Sequence, residues 1–155
     1  MKSFWWHIKL LRPLNLLTGA FAMVVSASIV NSVHETKTLL MTICVVVCYN
    51  AAANAYNDVK DYKTDLVNRP KRPLVTGHVK IKTALSMTVF LFAVGSVFSF
   101  GLPIIARVIA IGISMPTMII YSKVLKGTAL IGNATVALIL GLAFILFPQY
   151  NILRY

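Results

Sequence analysis

NDVKDYKTDLVNRPKRPL, residues 57–74, gathers three of the chain's four acidic residues, Asp58, Asp61 and Asp65, within a few positions, and mixes them with Lys60, Lys63, Arg69, Lys71 and Arg72. Outside this stretch the 155 residues are mostly apolar. Hydrophobic residues make up 58%, charged residues 12%, and the mean hydropathy is +0.79, which sets the chain apart from soluble domains. The runs on either side of the charged stretch therefore decide the fold. Stretches of about 20 apolar residues, the length that crosses ~30 Å of hydrocarbon, lie near 13–32, 38–56, 82–101, 103–121 and 129–148. They predict an all-α, polytopic transmembrane helix bundle of about five spans, a single membrane domain over residues 1–155. Gly101-Leu102-Pro103 breaks the third run from the fourth, so a tight hairpin is expected there. The first run is interrupted by Pro13, Asn15 and Gly19 and has no small-residue cleavage site, so it reads as a retained span and not a signal peptide.

Charge orients these spans. With the amino terminus inside, twelve of the fifteen lysines and arginines fall on the cytoplasmic side: Lys2, Lys9 and Arg12, then seven between Lys60 and Lys82, then Lys123 and Lys126. Lys37 and Arg154 remain outside. The bias follows the positive-inside rule and predicts a multi-pass integral protein of the cell membrane, with residues 57–81 as a cytoplasmic, aspartate-rich loop. Arg107 lies about one turn into the fourth span, where its side chain can snorkel outwards. The net charge of +11 is then topology and attraction to anionic membrane lipids. No nucleic-acid-binding pattern accompanies it, and no nucleic-acid partner is expected.

Several other features read as structure. Cys44 and Cys48 lack further soft ligands at metal-site spacing and read as apolar packing. His7, His34 and His78 fall near span boundaries, and Trp5 and Trp6 read as interfacial anchors. Ala51 with Ala55, and Ala137 with Gly141, have the spacing of helix-packing faces.

The charged stretch does not reduce to such a reading. If the second span continues as a helix at about 100° per residue, with Asp58 at zero, then Asp65 lies near about −20°, Asn54 near −40°, Asp61 near −60° and Asn57 near −100°. Lys60 and Lys63 point away, and no lysine stands three or four residues from an aspartate, so this is no salt-bridged helix surface. Three carboxylates on one stripe repel one another, the more so near a helix carboxyl end, and require a cation from elsewhere. Two candidates present themselves. Arg69, Lys71 and Arg72 could fold back, although Pro70 and Pro73 argue for an extended, stiff segment. The alternative, which the oxygen-only donor set favours, is a hard divalent ion such as Mg2+, whose coordination is completed by waters and phosphate oxygens. The arginines and lysines that follow would then form the second half of a diphosphate clamp.

Asn57-Asp58-Val59-Lys60-Asp61-Tyr62-Lys63-Thr64-Asp65, followed by Arg72-Pro73-Leu74, resembles the first aspartate-rich signature of the UbiA superfamily of intramembrane prenyltransferases, NDxxDxxxD followed by RPL. Arg12-Pro13-Leu14-Asn15 resembles the family's entry to its first helix. Tyr121-Ser122, Leu125-Lys126, Gly132-Asn133 and Val136-Ala137 resemble its later loop and fifth helix, so the likeness runs through the whole chain. Asp65, Asn68, Pro70, Arg72 and Pro73 are spaced as in members that add a geranylgeranyl chain to geranylgeranylglyceryl phosphate, and chlorophyll-type and quinone-type members stand close by.

The resemblance implies a helix bundle around a central cavity and Mg2+-dependent prenyl transfer from prenyl diphosphate to a lipid-soluble acceptor. It implies Asn57, Asp61 and Asp65 as catalytic residues, Asp58, Asp61 and Asp65 as metal residues, and Asn15, Asn54, Asn57, Arg69, Arg72 and Lys126 as substrate-binding residues. It also implies a second aspartate signature in a further half of about four helices, whereas no acidic residue follows Asp65 here. The expectation is therefore the amino-terminal portion of such an enzyme, either a truncated product or a subunit that needs a complementary carboxy-terminal half, without efficient turnover alone. The alternative is a non-catalytic membrane subunit acting through lipid or partner contacts. Neither paired intramembrane charges nor an inverted repeat supports a transporter.

Overall fold

In a computed structural model, which describes residues 2–29, 31 and 33–124, the chain is built from helices: α1 (Lys2–Leu11), α2 (Pro13–Ile29), α3 (Thr36–Lys60), α4 (Tyr62–Asn68), α5 (Ile81–Ser99) and α6 (Ile104–Lys123). The predicted fifth span and Lys126 lie outside the described residues. Helices α3, α5 and α6 are each long and apolar enough to cross a membrane, and the bent pair α1–α2 qualifies as a fourth crossing. The first span was expected to begin at residue 13. Helix α2 does begin there, but Lys2–Leu11 form a further helix, and beyond Arg12 the two meet at a 49° bend.

The elbow has an identifiable cause. Pro13 offers no N–H and crowds the residue before it out of the helical region. Arg12 adopts φ +57°, a left-handed conformation that side-chain-bearing residues seldom hold. The carbonyls left open where α1 stops find donors. The Asn54 amide Nδ2 donates to Leu11 O at 2.9 Å, and the backbone amide of Asn15 donates to Arg12 O at 2.9 Å.

Helix α3 is central, packing on α1, α2, α5 and α6. Met23 and Ala27 of α2, Val45, Val46, Tyr49 and Ala52 of α3, Phe92 of α5 and Ala106, Ala110 and Met118 of α6 form one buried cluster. Ala51 and Ala55 are buried as their spacing suggests. The α3–α5 contact is close because α5 carries Gly95: a Cβ there would sit 2.6 Å from the Tyr49 ring. Tyr49 meets Phe92 edge-on, with ring centres 5.5 Å apart, and shares a 2.9 Å hydrogen bond with Ser96. Hydroxyls elsewhere in the spans bond back to carbonyls one turn earlier, as Thr42 does to Thr38, Thr88 to Ala84 and Ser122 to Met118, so no water is needed to satisfy them.

The expected hairpin forms between α5 and α6. Arg107, in the first turns of α6, turns back to it: its Nη2 donates to Phe100 O at 2.8 Å and lies 3.3 Å from Leu102 O, with the guanidinium over the Phe100 ring. Further along α6, Ile109–Ser114 wind as a π-helix just ahead of Pro116. The wider turn accommodates a proline that cannot complete the ordinary ladder. Cys44 and Cys48 are free thiols.

Replacing Gly95 by Ala should force the Tyr49 ring from its site and lower stability by about 1–3 kcal/mol, the usual cost of overpacking a filled core. A reduced melting temperature in detergent, with helical content retained below it, is the expected result.

Candidate functional site

The polar end is assembled from the α1–α2 elbow, the last turns of α3, helix α4 and the segment 69–80. Asp61 keeps helical dihedrals between α3 and α4, and the backbone bonds Asp61 N–Asn57 O, Asp65 N–Asp61 O and Arg69 N–Asp65 O carry the spiral on to residue 69. The stretch read as a loop over 57–81 is thus helical to residue 68, and Asp58, Asp61 and Asp65 turn towards a common point, the guanidinium of Arg72.

The segment after α4 was expected to be extended because of Pro70 and Pro73, and this is corrected. Residues 70–79 fold into successive turns, with bonds from Arg72 N to Arg69 O, Thr76 N to Arg72 O, Gly77 N to Leu74 O and Val79 N to Pro73 O. A proline fixes φ near −65°, a value that suits the first corner of a turn as well as an extended strand. Gly77, at φ +72°, takes a left-handed position in these turns. Leu74 and Val79 drop into a second buried cluster with Leu10 of α1, Ala55 of α3 and Ala84 of α5. Trp6 stacks on His78 with ring centres 4.1 Å apart, and Lys9 lies over the Trp6 ring. Trp6 is therefore a clasp between α1 and the loop, while Trp5 remains exposed as an interfacial residue would.

So held, Arg72 reaches back among the carboxylates. Its Nη1 lies 2.7 Å from Asp58 Oδ1, 2.6 Å from Asp65 Oδ2 and 3.8 Å from Asp61 Oδ2. Arg12 Nη2 meets the same Asp58 Oδ1 from the elbow at 2.5 Å. Arg12 and Arg72 thus supply counter-charge to these carboxylates, and Arg72 comes from the basic segment that the sequence offered as one source. Asp58 and Asp65 are buried, at 3% and 5% exposure, and Asp61 is more open. Burying a carboxylate at this depth is costly unless cations with good geometry accompany it. Among the described residues no three His, Cys, Asp or Glu side chains are grouped as a ready metal cage.

Two openings adjoin this hub. A cavity of about 460 Å³ is lined by five cationic side chains, Lys9, Arg12, Arg69, Lys71 and Arg72, with Asp58 the one carboxylate. A second, of about 290 Å³, lies between α2 and α3 and is lined by Asn15, Thr18, Gly19, Ala22, Asn50, Ala53 and Asn54. An apolar groove along α2, with Leu14, Leu17 and Phe21, shares Thr18 and Ala22 with it. The Asn57 Oδ1 atom is buried without a hydrogen-bond partner.

Of the residues singled out from the sequence, Asn15 and Asn54 line the smaller cavity, and the Asn54 amide nitrogen is committed to Leu11. Arg69 and Arg72 line the larger one. Lys126 is outside the described residues. Sequence reading missed Arg12 and Lys9 as site residues, and no local period could reveal them, since Arg12 stands 46 positions before its partner Asp58. It also missed Asn50, which one more turn of the same α3 stripe would have included.

The model of the UbiA prenyltransferase family matches residues 15–150. The chain belongs to the UbiA prenyltransferase family. Among its relatives are digeranylgeranylglyceryl phosphate synthases from Methanosphaera stadtmanae, 33% identical over 139 residues, and Thermococcus kodakarensis, 38% identical over 135 residues. These alignments cover 90% and 86% of this chain but 50% and 48% of the relatives. A solved structure from work on digeranylgeranylglyceryl phosphate synthase in membranes matches 96% of this chain and 53% of its own, with a TM-score of 0.90 and 27% identity. The chain thus spans about half the length of the curated relatives it matches. The fold of this half is the UbiA fold, and the protein is an integral membrane protein.

Arg72→Gln should lower stability by about 3 kcal/mol, the scale for stripping one partner from a buried ion pair. Arg69→Gln, an exposed neighbour, should change it by less than about 0.5 kcal/mol. Thermal denaturation of the two variants in one detergent makes the comparison.

Proposed function

We propose that this chain forms the diphosphate-holding half of a prenyltransferase that moves a geranylgeranyl group from its diphosphate to a lipid-soluble acceptor such as geranylgeranylglyceryl phosphate. The observation that carries the reading is the convergence, at one end of an apolar bundle, of carboxylate and carboxamide oxygens with a cavity lined by five cationic side chains. A prenyl diphosphate has this division: an anionic head for the cavity, and a long apolar tail that needs a groove such as the one along α2.

Prenyl transfer of this type breaks the allylic C–O bond to diphosphate, builds positive charge on the isoprenoid, and forms a new bond to the acceptor's nucleophile, which loses its proton. Arg69 and Arg72 would contact the departing diphosphate, sharing its charge through forked N–H donors. Lys126 would add a further contact. Asn15, Asn50 and Asn54 would line the passage for the chain nearest its reacting end. The donor set suits Mg2+: Asn57 Oδ1 is buried with no partner, the Asp61 carboxylate is the most open of the three, and Asp65, held by the single arginine Arg72 through Oδ2, would offer its other oxygen. Mg2+ bound there would neutralise diphosphate charge as the bond breaks. The aspartates and basic segment are proposed to face the cytoplasm, on the strength of the lysine and arginine bias.

The test is binding of geranylgeranyl diphosphate to the purified chain with and without Mg2+. Affinity should rise at least about tenfold, or 1.4 kcal/mol, when Mg2+ is added, and Asp61→Asn should abolish the rise. Equal affinity in both conditions contradicts the reading.

A further inference from the structure

We propose that Asp58 is a positioning residue and not a metal ligand: its buried carboxylate aims the Arg12 and Arg72 guanidinium groups into the cationic cavity, and Arg12 is thereby a further residue that binds the diphosphate. The inference rests on the functional reading above and gives roles to two residues that it leaves without one. Asp58 Oδ1 already receives two guanidinium groups, at 2.5 and 2.7 Å, and the residue is 3% exposed. A metal ion at Asp58 would stand against two guanidinium charges already held on its carboxylate, whereas Asp61 lies 3.8 Å from the Arg72 nitrogen. The arginines have donors to spare. Arg12 contacts Asp58 through Nη2, and Arg72 contacts Asp58 and Asp65 through Nη1, whereas a guanidinium carries five N–H donors on three nitrogens. Both line the 460 Å³ cavity beside Lys9, Arg69 and Lys71.

The backbone supports an assigned role for Arg12. Its φ of +57° is held at the point where α1 meets α2, with the Asn54 amide fixing the neighbouring carbonyl of Leu11. Strain of this kind persists where surrounding structure imposes it, and here it delivers a guanidinium from one segment to a carboxylate 46 residues away. Asp58 thus joins the elbow, the central helix and the basic loop at one oxygen atom, and fixes the spacing of two phosphate-binding groups.

The experiment uses the full chain in lipid nanodiscs, with inorganic pyrophosphate and Mn2+ titrated separately. Asp58→Asn should weaken pyrophosphate binding at least about tenfold and leave Mn2+ affinity within about twofold, whereas Asp61→Asn should weaken Mn2+ by the larger factor. Arg12→Gln should also weaken pyrophosphate. Added to Asp58→Asn it should cost no more than a further factor of about two, because the anchor it depends on is already gone. The proposal is overturned if Asp58→Asn removes Mn2+ binding as Asp61→Asn does, if pyrophosphate binding is unchanged, or if the two substitutions multiply as independent contacts. If Asp58→Asn does not fold, Arg12→Lys takes its place: weaker pyrophosphate with Mn2+ unaltered supports the assignment, and unaltered pyrophosphate ends it. Should the native chain bind neither probe, the prenyl-diphosphate reading fails. The anchor is then judged by phenylglyoxal modification of Arg12, which should run several-fold faster in Asp58→Asn and at an equal rate if Asp58 does not hold it.

Discussion

Two guanidinium groups share one buried carboxylate oxygen, and the polar end of the bundle is organised around that contact. Asp58 sits where α3 leaves the apolar part of the fold, Arg12 where the first helix bends, and Arg72 in the turns that follow α4. Removing both arginines would leave the Asp58 carboxylate, 3% exposed, without a counter-charge. The remaining carboxylates are placed by the same contact, since Arg72 also bonds Asp65 and lies within reach of Asp61.

This arrangement ties the site to the packing beneath it. Arg72 is in position because Leu74 and Val79, on the same stretch of turns, are buried against Leu10, Ala55 and Ala84. Arg12 is in position because Pro13 ends α1 and Asn54 receives the broken end. The helices of the main cluster meanwhile satisfy their own hydroxyls, leaving the polar groups that converge at one end to act on a ligand. The cationic cavity, the smaller cavity with its three asparagines and the apolar groove along α2 are the parts that an amphiphile with an anionic head would require.

Much of this was legible in the sequence. The spans of α3, α5 and α6 and the hairpin at Gly101-Leu102-Pro103 are local properties, and the structure has them where residue patterns place them, whereas the helix ahead of Pro13 was not foreseen. The convergence of Asp58, Asp61 and Asp65 was also legible, because helical period alone puts them on one face. What answers their charge was legible only as two alternatives, the basic segment or a divalent ion. Proline restricts φ without choosing between an extended chain and a turn, and the choice here is made by burial of Leu74 and Val79, which is a tertiary effect. Arg12 was invisible as a partner for the same reason: its pairing depends on how α1 docks, and that is set by Leu10 and the Trp6–His78 stack. Asn50 was within reach of sequence reasoning, as the next member upstream of a stripe already identified.

The most direct test of the account is an experimental structure of the ligand-free chain in a lipid nanodisc, resolved well enough to place the side chains of Arg12, Asp58 and Arg72. The account predicts both guanidinium groups within hydrogen-bond distance of the Asp58 carboxylate, with Arg72 also bonded to Asp65. Arg72 turned out into solvent, with a metal ion held between Asp58 and its neighbouring aspartates, would contradict it.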